Sequence, residues 1–134
     1  MKNTIEFFLI LFFYFISRII GLNLSSYLGG ILVWSYGLFS KRNLIGIKNL
    51  NLAFPKKSNL EKKKILRKMW YHFGRVIGEY PHLHKIKIYK NRNLKIIGIN
   101  NLLDPLKKDK NCIYFSAHIG NWELSSHPLT QNGF

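Results

Sequence analysis

The sequence holds a single cysteine, Cys112, among 134 residues. One thiol cannot close an intramolecular disulfide, which excludes a disulfide scaffold and removes any pointer to an oxidising compartment. Acidic side chains are also scarce, with 6 Asp and Glu against 21 Lys and Arg, leaving +15. No alanine precedes Ala53, so the small-residue site at which a secretory signal peptide would be cut is missing. Internal repeats and low-complexity linkers are absent, and the composition is neither collagen-like nor that of a coiled coil. A wholly disordered chain would need low hydrophobicity, whereas 47% of these residues are apolar. Length alone allows one domain of ordinary size.

What the chain does have is charge in one place. Residues 1–39 carry +1, residues 40–95 carry +14, and residues 96–134 are balanced. A basic block raises the question of nucleic acid, but no fingerprint of a nucleic-acid-binding module occurs and the block adjoins an apolar segment. No nucleic-acid partner is therefore expected.

That apolar segment opens with an unbroken run, FFLILFFYFI, at residues 7–16. Half of the 20 aromatics lie in the first 39 residues, and Arg18 is the only charge between Phe7 and Phe39. About 20 apolar residues span a hydrocarbon core. Residues 5–24 suffice if Arg18 reaches an interface along its own stem. Residues 19–39, with four glycines and several polar residues, are an alternative span or a re-entrant or interfacial helix. Residues 1–40 are thus expected to form a membrane anchor. Lys41, Arg42, Lys48, Lys56 and Lys57 follow it, which by the positive-inside rule makes that flank cytoplasmic and sets the basic block against membrane lipids.

Beyond the anchor, residues 43–55 read as an irregular connector ending at Pro55. Ser58 and Glu61 have the spacing of a capping box. After them Ile65, Leu66, Met69, Trp70, Phe73, Val76, Ile77 and Tyr80 recur at steps of three and four, which predicts a helix over residues 59–80 stopped by Pro81. Residues 94–99 (LKIIGI) and 111–116 (NCIYFS) read as strands with room between them for one or two helical turns. Strand, short helix and strand imply a parallel crossover and an α/β domain over residues 41–134.

The densest group of reactive side chains follows the second expected strand: Ser116, His118, Gly120, Asn121, Trp122 and Glu123. A histidine takes a proton near neutral pH, and a carboxylate on its other ring nitrogen fixes the tautomer and stabilises the imidazolium. On an ideal helix residues five apart point about 140° away from one another. His118 and Glu123 can therefore cooperate only if His118 sits in a turn ahead of the helix, with Gly120 permitting the bend. The plainer alternative is an ordinary histidine beside a solvated acid. His82, His84 and His127 lack a Cys or acid at ligand spacing, and no metal site is expected. Lys62, Lys63, Lys64, Arg67 and Lys68 form either a solvated helix face or a place to hold phosphate or an acidic carrier protein.

His118-Ile119-Gly120-Asn121-Trp122-Glu123 resembles the H-x-x-x-x-D/E motif of the glycerolipid acyltransferase superfamily, in the H-x-G-N-W-E form of the bacterial lipid A biosynthesis acyltransferases. Asn49-Leu50-Asn51-Leu52-Ala53-Phe54-Pro55 is similar to the family's N-L-x-x-A-F-P segment. Residues 99–102 resemble its G-x-E-N-L stretch, with Asn100 in place of Glu. The similarity runs in register over essentially the whole chain.

The resemblance implies transfer of a fatty acyl group from an acyl carrier protein thioester to a glycolipid hydroxyl, typically on a lipid A precursor, at the cytoplasmic face of the bacterial inner membrane. It implies His118 as general base, Glu123 as the group that orients it, Asn121 and Gly120 as substrate-binding positions, and no metal or other cofactor. Cys112 need not act as a nucleophile. Another glycolipid acceptor, such as a phosphatidylinositol mannoside, and a truncated non-catalytic membrane-binding module are the alternatives. Family members are longer, so the chain, which ends 11 residues after Glu123, resembles an N-terminal portion carrying an incomplete acyltransferase domain.

Overall fold

The computed structural model describes residues 2–86, 95–108 and 111–133. Their regular structure is entirely helical: α1 (Lys2–Ile20), α2 (Leu22–Phe39), α3 (Asn43–Ala53), α4 (Asn59–Glu79), a 3-10 helix (Tyr80–Lys85), α5 (Ile99–Lys107), a second 3-10 helix (Trp122–Ser126) and α6 (His127–Thr130). The chain forms two units, Met1–His82 and Leu83–Phe134.

In the first unit, the capping box starts α4 as expected. The Glu61 amide donates to Ser58 Oγ at 3.3 Å and the Ser58 amide to Glu61 Oε2 at 2.8 Å, which satisfies two donors that a helix start leaves orphaned. Leu66, Trp70 and Val76 along its apolar stripe are buried. The facing helix is α2, which presents small residues. Ser25, Ser26, Gly29, Gly30 and Gly37 are all buried, and Gly74 and Gly78 meet them from α4. The backbones come close enough for side chains to bond across the seam. Ser25 Oγ donates to the Gly78 carbonyl, and Ser26 Oγ donates to Glu79 Oε1 at 2.8 Å while accepting from Arg75 Nε at 3.0 Å. At the other end Asn43 joins three helices: its Oδ1 accepts from Trp70 Nε1 at 2.8 Å and its Nδ2 donates to the Gly37 carbonyl at 2.7 Å.

Three expectations are corrected. The apolar stretch is not a single span. Gly21, at φ 81°, divides it into α1 and α2, and among the described residues no helix is long and apolar enough to cross a membrane. Two of its polar groups are engaged within the protein: the Arg18 guanidinium donates to the Pro81 carbonyl at 3.2 Å, and the Ser17 carbonyl accepts from Nε2 of His82, itself 1% exposed, at 2.8 Å. Second, residues 43–53 are the helix α3 instead of an irregular connector, and it stops at Phe54 because Pro55 disfavours a helical residue before it.

Third, the α/β expectation fails. Leu94 lies outside the described residues, residues 95–98 are irregular and Ile99 begins α5. Residues 111–117 run without secondary structure, with Ile113 84% and Phe115 94% exposed. A β-branched, aromatic run becomes a strand only where a neighbour takes its backbone groups, and among the described residues none does.

The second unit is small. Ile86 and Leu103 are buried, α5 packs on α6, and long-range hydrogen bonds tie it together. His127 Nε2 donates to the Leu83 carbonyl at 3.0 Å and Gln131 Nε2 to the Ile86 carbonyl at 2.9 Å. The Tyr114 hydroxyl donates to the Leu102 carbonyl at 2.8 Å, so the irregular segment is fixed to α5 just before the segment that holds His118 and Glu123.

Candidate active site

The segment 117–123 reverses direction in two steps. The Ile119 amide donates to the Ala117 carbonyl at 2.7 Å, a three-residue turn with His118 at its centre. Gly120 follows at φ 61°, a left-handed conformation costing most other residues about 1–2 kcal/mol. Asn121 precedes the 3-10 helix, and its carbonyl accepts from the Leu124 amide at 3.2 Å. Glu123 falls in the first turn of that helix.

His118 therefore stands in a turn ahead of the helix bearing Glu123, with Gly120 making the bend. His118 is exposed, while Asn121, Trp122 and Glu123 are partly covered. An accessible imidazole can meet a substrate hydroxyl. The ring brought against His118 is that of Trp122, centroids 5.0 Å apart and planes inclined at 55°. This contact limits how the imidazole turns.

Two other histidines bind backbone. His82 and His127 each spend Nε2 on a carbonyl, of Ser17 and of Leu83, roles that no local sequence pattern announces. Cys112 is half-buried in the irregular segment.

The family model for bacterial lipid A biosynthesis acyltransferases matches residues 1–133. The chain belongs to that family. No curated protein and no solved structure matches it. As a lipid A acyltransferase family member it is assigned to acyl transfer in lipid A biosynthesis, and the match takes in both helical units, His118 and Glu123 included.

Proposed function

We propose that the chain transfers a fatty acyl group from acyl carrier protein to a hydroxyl of a lipid A precursor, with His118 as general base and Glu123 as the group that orients it. The observation that carries this reading is the placement of an exposed His118 in a turn directly ahead of the helix whose first turn holds Glu123.

In the proposed step, one imidazole nitrogen of His118 takes the proton of the acceptor hydroxyl as its oxygen attacks the thioester carbonyl carbon. The carbon–sulfur bond then breaks, and the departing thiolate takes the proton back from the imidazolium. The new bond is an ester, and the enzyme ends as it began. A carboxylate facing the second imidazole nitrogen stabilises the cation that forms midway. In this reading Asn121 and Gly120, in the same turn, hydrogen-bond the substrate.

The reading places the reaction at the cytoplasmic face of the inner membrane, with α1 and α2 lying in the lipid interface. Supporting this, Phe7, Phe8, Phe12 and Phe15 of α1 are 57–66% exposed, an apolar surface far beyond what water-facing helices carry. The basic block behind it meets anionic headgroups, each Lys or Arg contributing about 1 kcal/mol near the surface.

The test is an assay of the chain with acyl carrier protein thioesters and a panel of glycolipid acceptors. Transfer to a Kdo-bearing lipid A precursor, reduced on the order of 10²–10⁴-fold by His118→Ala, is the expected result. Unchanged turnover in that variant overturns the role of His118, and preference for another glycolipid overturns the acceptor.

A further inference from the structure

Two open hollows adjoin along α2 and α4, the first also lined by Asn43 and Ile47 of α3. One, of about 220 Å³, is lined by Trp34, Leu38, Lys63 and Arg67 among others. The next, of about 380 Å³, is lined by Tyr27, Ile31, Trp34, Arg67, Lys68 and Tyr71. They share Trp34 and Arg67, so together they form one groove.

Its two walls differ in chemistry. Tyr27, Ile31, Trp34 and Leu38 recur at steps of four, three and four on α2, and each is 37–53% exposed. That is an apolar stripe the protein itself leaves uncovered. On α4, Lys63 and Arg67 are one helical turn apart, with Lys68 beside them, and among the described residues no acid lines either cavity. Trp70, whose indole is pinned by Asn43, also lines the first cavity.

A soluble anion would satisfy the cations and leave the apolar wall wet. An acidic protein surface would do the same. An amphiphile with a phosphate at one end satisfies both walls, since Arg binds phosphate bidentately and Lys adds a point charge. We propose that this groove holds one anionic phospholipid, its phosphate between Lys63 and Arg67 and an acyl chain along Trp34, Ile31 and Tyr27. None of its lining residues is one assigned to acyl transfer, and its test reads binding alone.

The test uses the full chain in neutral maltoside micelles, with phosphatidylglycerol or phosphatidylcholine added and bound lipids counted by native mass spectrometry. One phosphatidylglycerol is expected to stay bound, at least tenfold more tightly than phosphatidylcholine. Lys63→Gln/Arg67→Gln should weaken it at least tenfold, whereas Lys56→Gln/Lys64→Gln, which removes the same charge, should not. Phosphatidylglycerol brominated on its acyl chains should quench fluorescence in the parent and markedly less in Trp34→Phe.

Equal retention of the two lipids, or equal loss in the two double variants, overturns the proposal. Displacement by millimolar inorganic phosphate overturns it in favour of a free-anion site. Loss of acyl carrier protein binding in Lys63→Gln/Arg67→Gln, with the lipid still held, overturns it in favour of a protein-docking face.

Discussion

The carbonyl oxygen of Gly29 occupies the place where a side chain on Gly74 would begin. A Cβ on Gly29 would in turn stand 2.5 Å from the Gly74 carbonyl oxygen, and backbone on both sides leaves nothing flexible to give way. Alanine in a helix interior is worth about 1 kcal/mol over glycine. Forcing α2 and α4 apart costs more, since overpacking typically costs about 1–3 kcal/mol and here strips hydrogen bonds from Ser25 and Ser26 as well. Gly74→Ala is therefore expected to lower the unfolding midpoint. Gly46→Ala is the contrast, because its Cβ would meet the tip of the Leu66 side chain and no backbone. That variant should be neutral or slightly stabilising by thermal denaturation followed by circular dichroism, and equal losses in the two would refute the seam's role.

The start of α4 gives a pH dependence. The Ser58 amide, then the Ser58 hydroxyl, and beyond them Lys57 hold the Glu61 carboxyl below its usual value of 4.5. A depressed carboxyl pKa stabilises the fold when ionised. That contribution is therefore whole above about pH 4.5 and is lost as pH falls through the folded-state value. Thermal midpoints measured from about pH 6 to about pH 3 should fall more steeply in the parent than in Glu61→Gln, which keeps the cap's shape without the charge. Ser58→Ala should cost about 1 kcal/mol at neutral pH.

The contrast between these sites shows what the sequence could announce. Ser58, Glu61 and the stripe from Ile65 to Val76 are local signals, and α4 follows them nearly to the residue. The small residues of α2 were legible as small, but their partners lie about fifty positions away, as with Ser25 and Gly78. No period within α2 says which helix will cover Gly29, and the same residues fit a membrane span. The strand expectation failed for a related reason. Ile99, Leu102, Leu103 and Leu106 carry helical spacing that overlaps the short β-branched run, and so short a run does not arbitrate by length; the helix buries Leu103. At the site, the turn at Gly120 was legible because glycine is the residue that such a bend requires. The ring of Trp122 against His118 was not, since an indole packs in many places.

Gly120 separates conformation from chemistry. A Cβ there would meet nothing within 4 Å, so a substitution is resisted only by its φ of 61°. Gly120→Val should disturb the turn between His118 and the helix bearing Glu123 with little change in global stability. Acyl transfer should fall on the order of 10²-fold, the effect of misplacing a catalytic group by about 1 Å. Gly120→Asn should recover much of the loss, because asparagine tolerates the left-handed region. Equal activity in the two variants would show that the bend does not set the position of His118.

Trp122 tests whether the ring contact positions the base. With centroids 5.0 Å apart, the indole lies against the His118 ring and limits how it can rotate. Trp122→Phe keeps an aromatic face there and is expected to retain most of kcat, while Trp122→Ala removes it and should lower kcat by about 10–100-fold. KM for both substrates should change little, because the indole is assigned to holding the imidazole and not to binding. Placing His118→Ala beneath Trp122→Ala should add almost nothing to the loss from His118→Ala alone, as expected for residues acting through one group. If the two losses multiply instead, Trp122 serves the fold of the second unit independently of His118, and its stability against denaturant should drop in parallel.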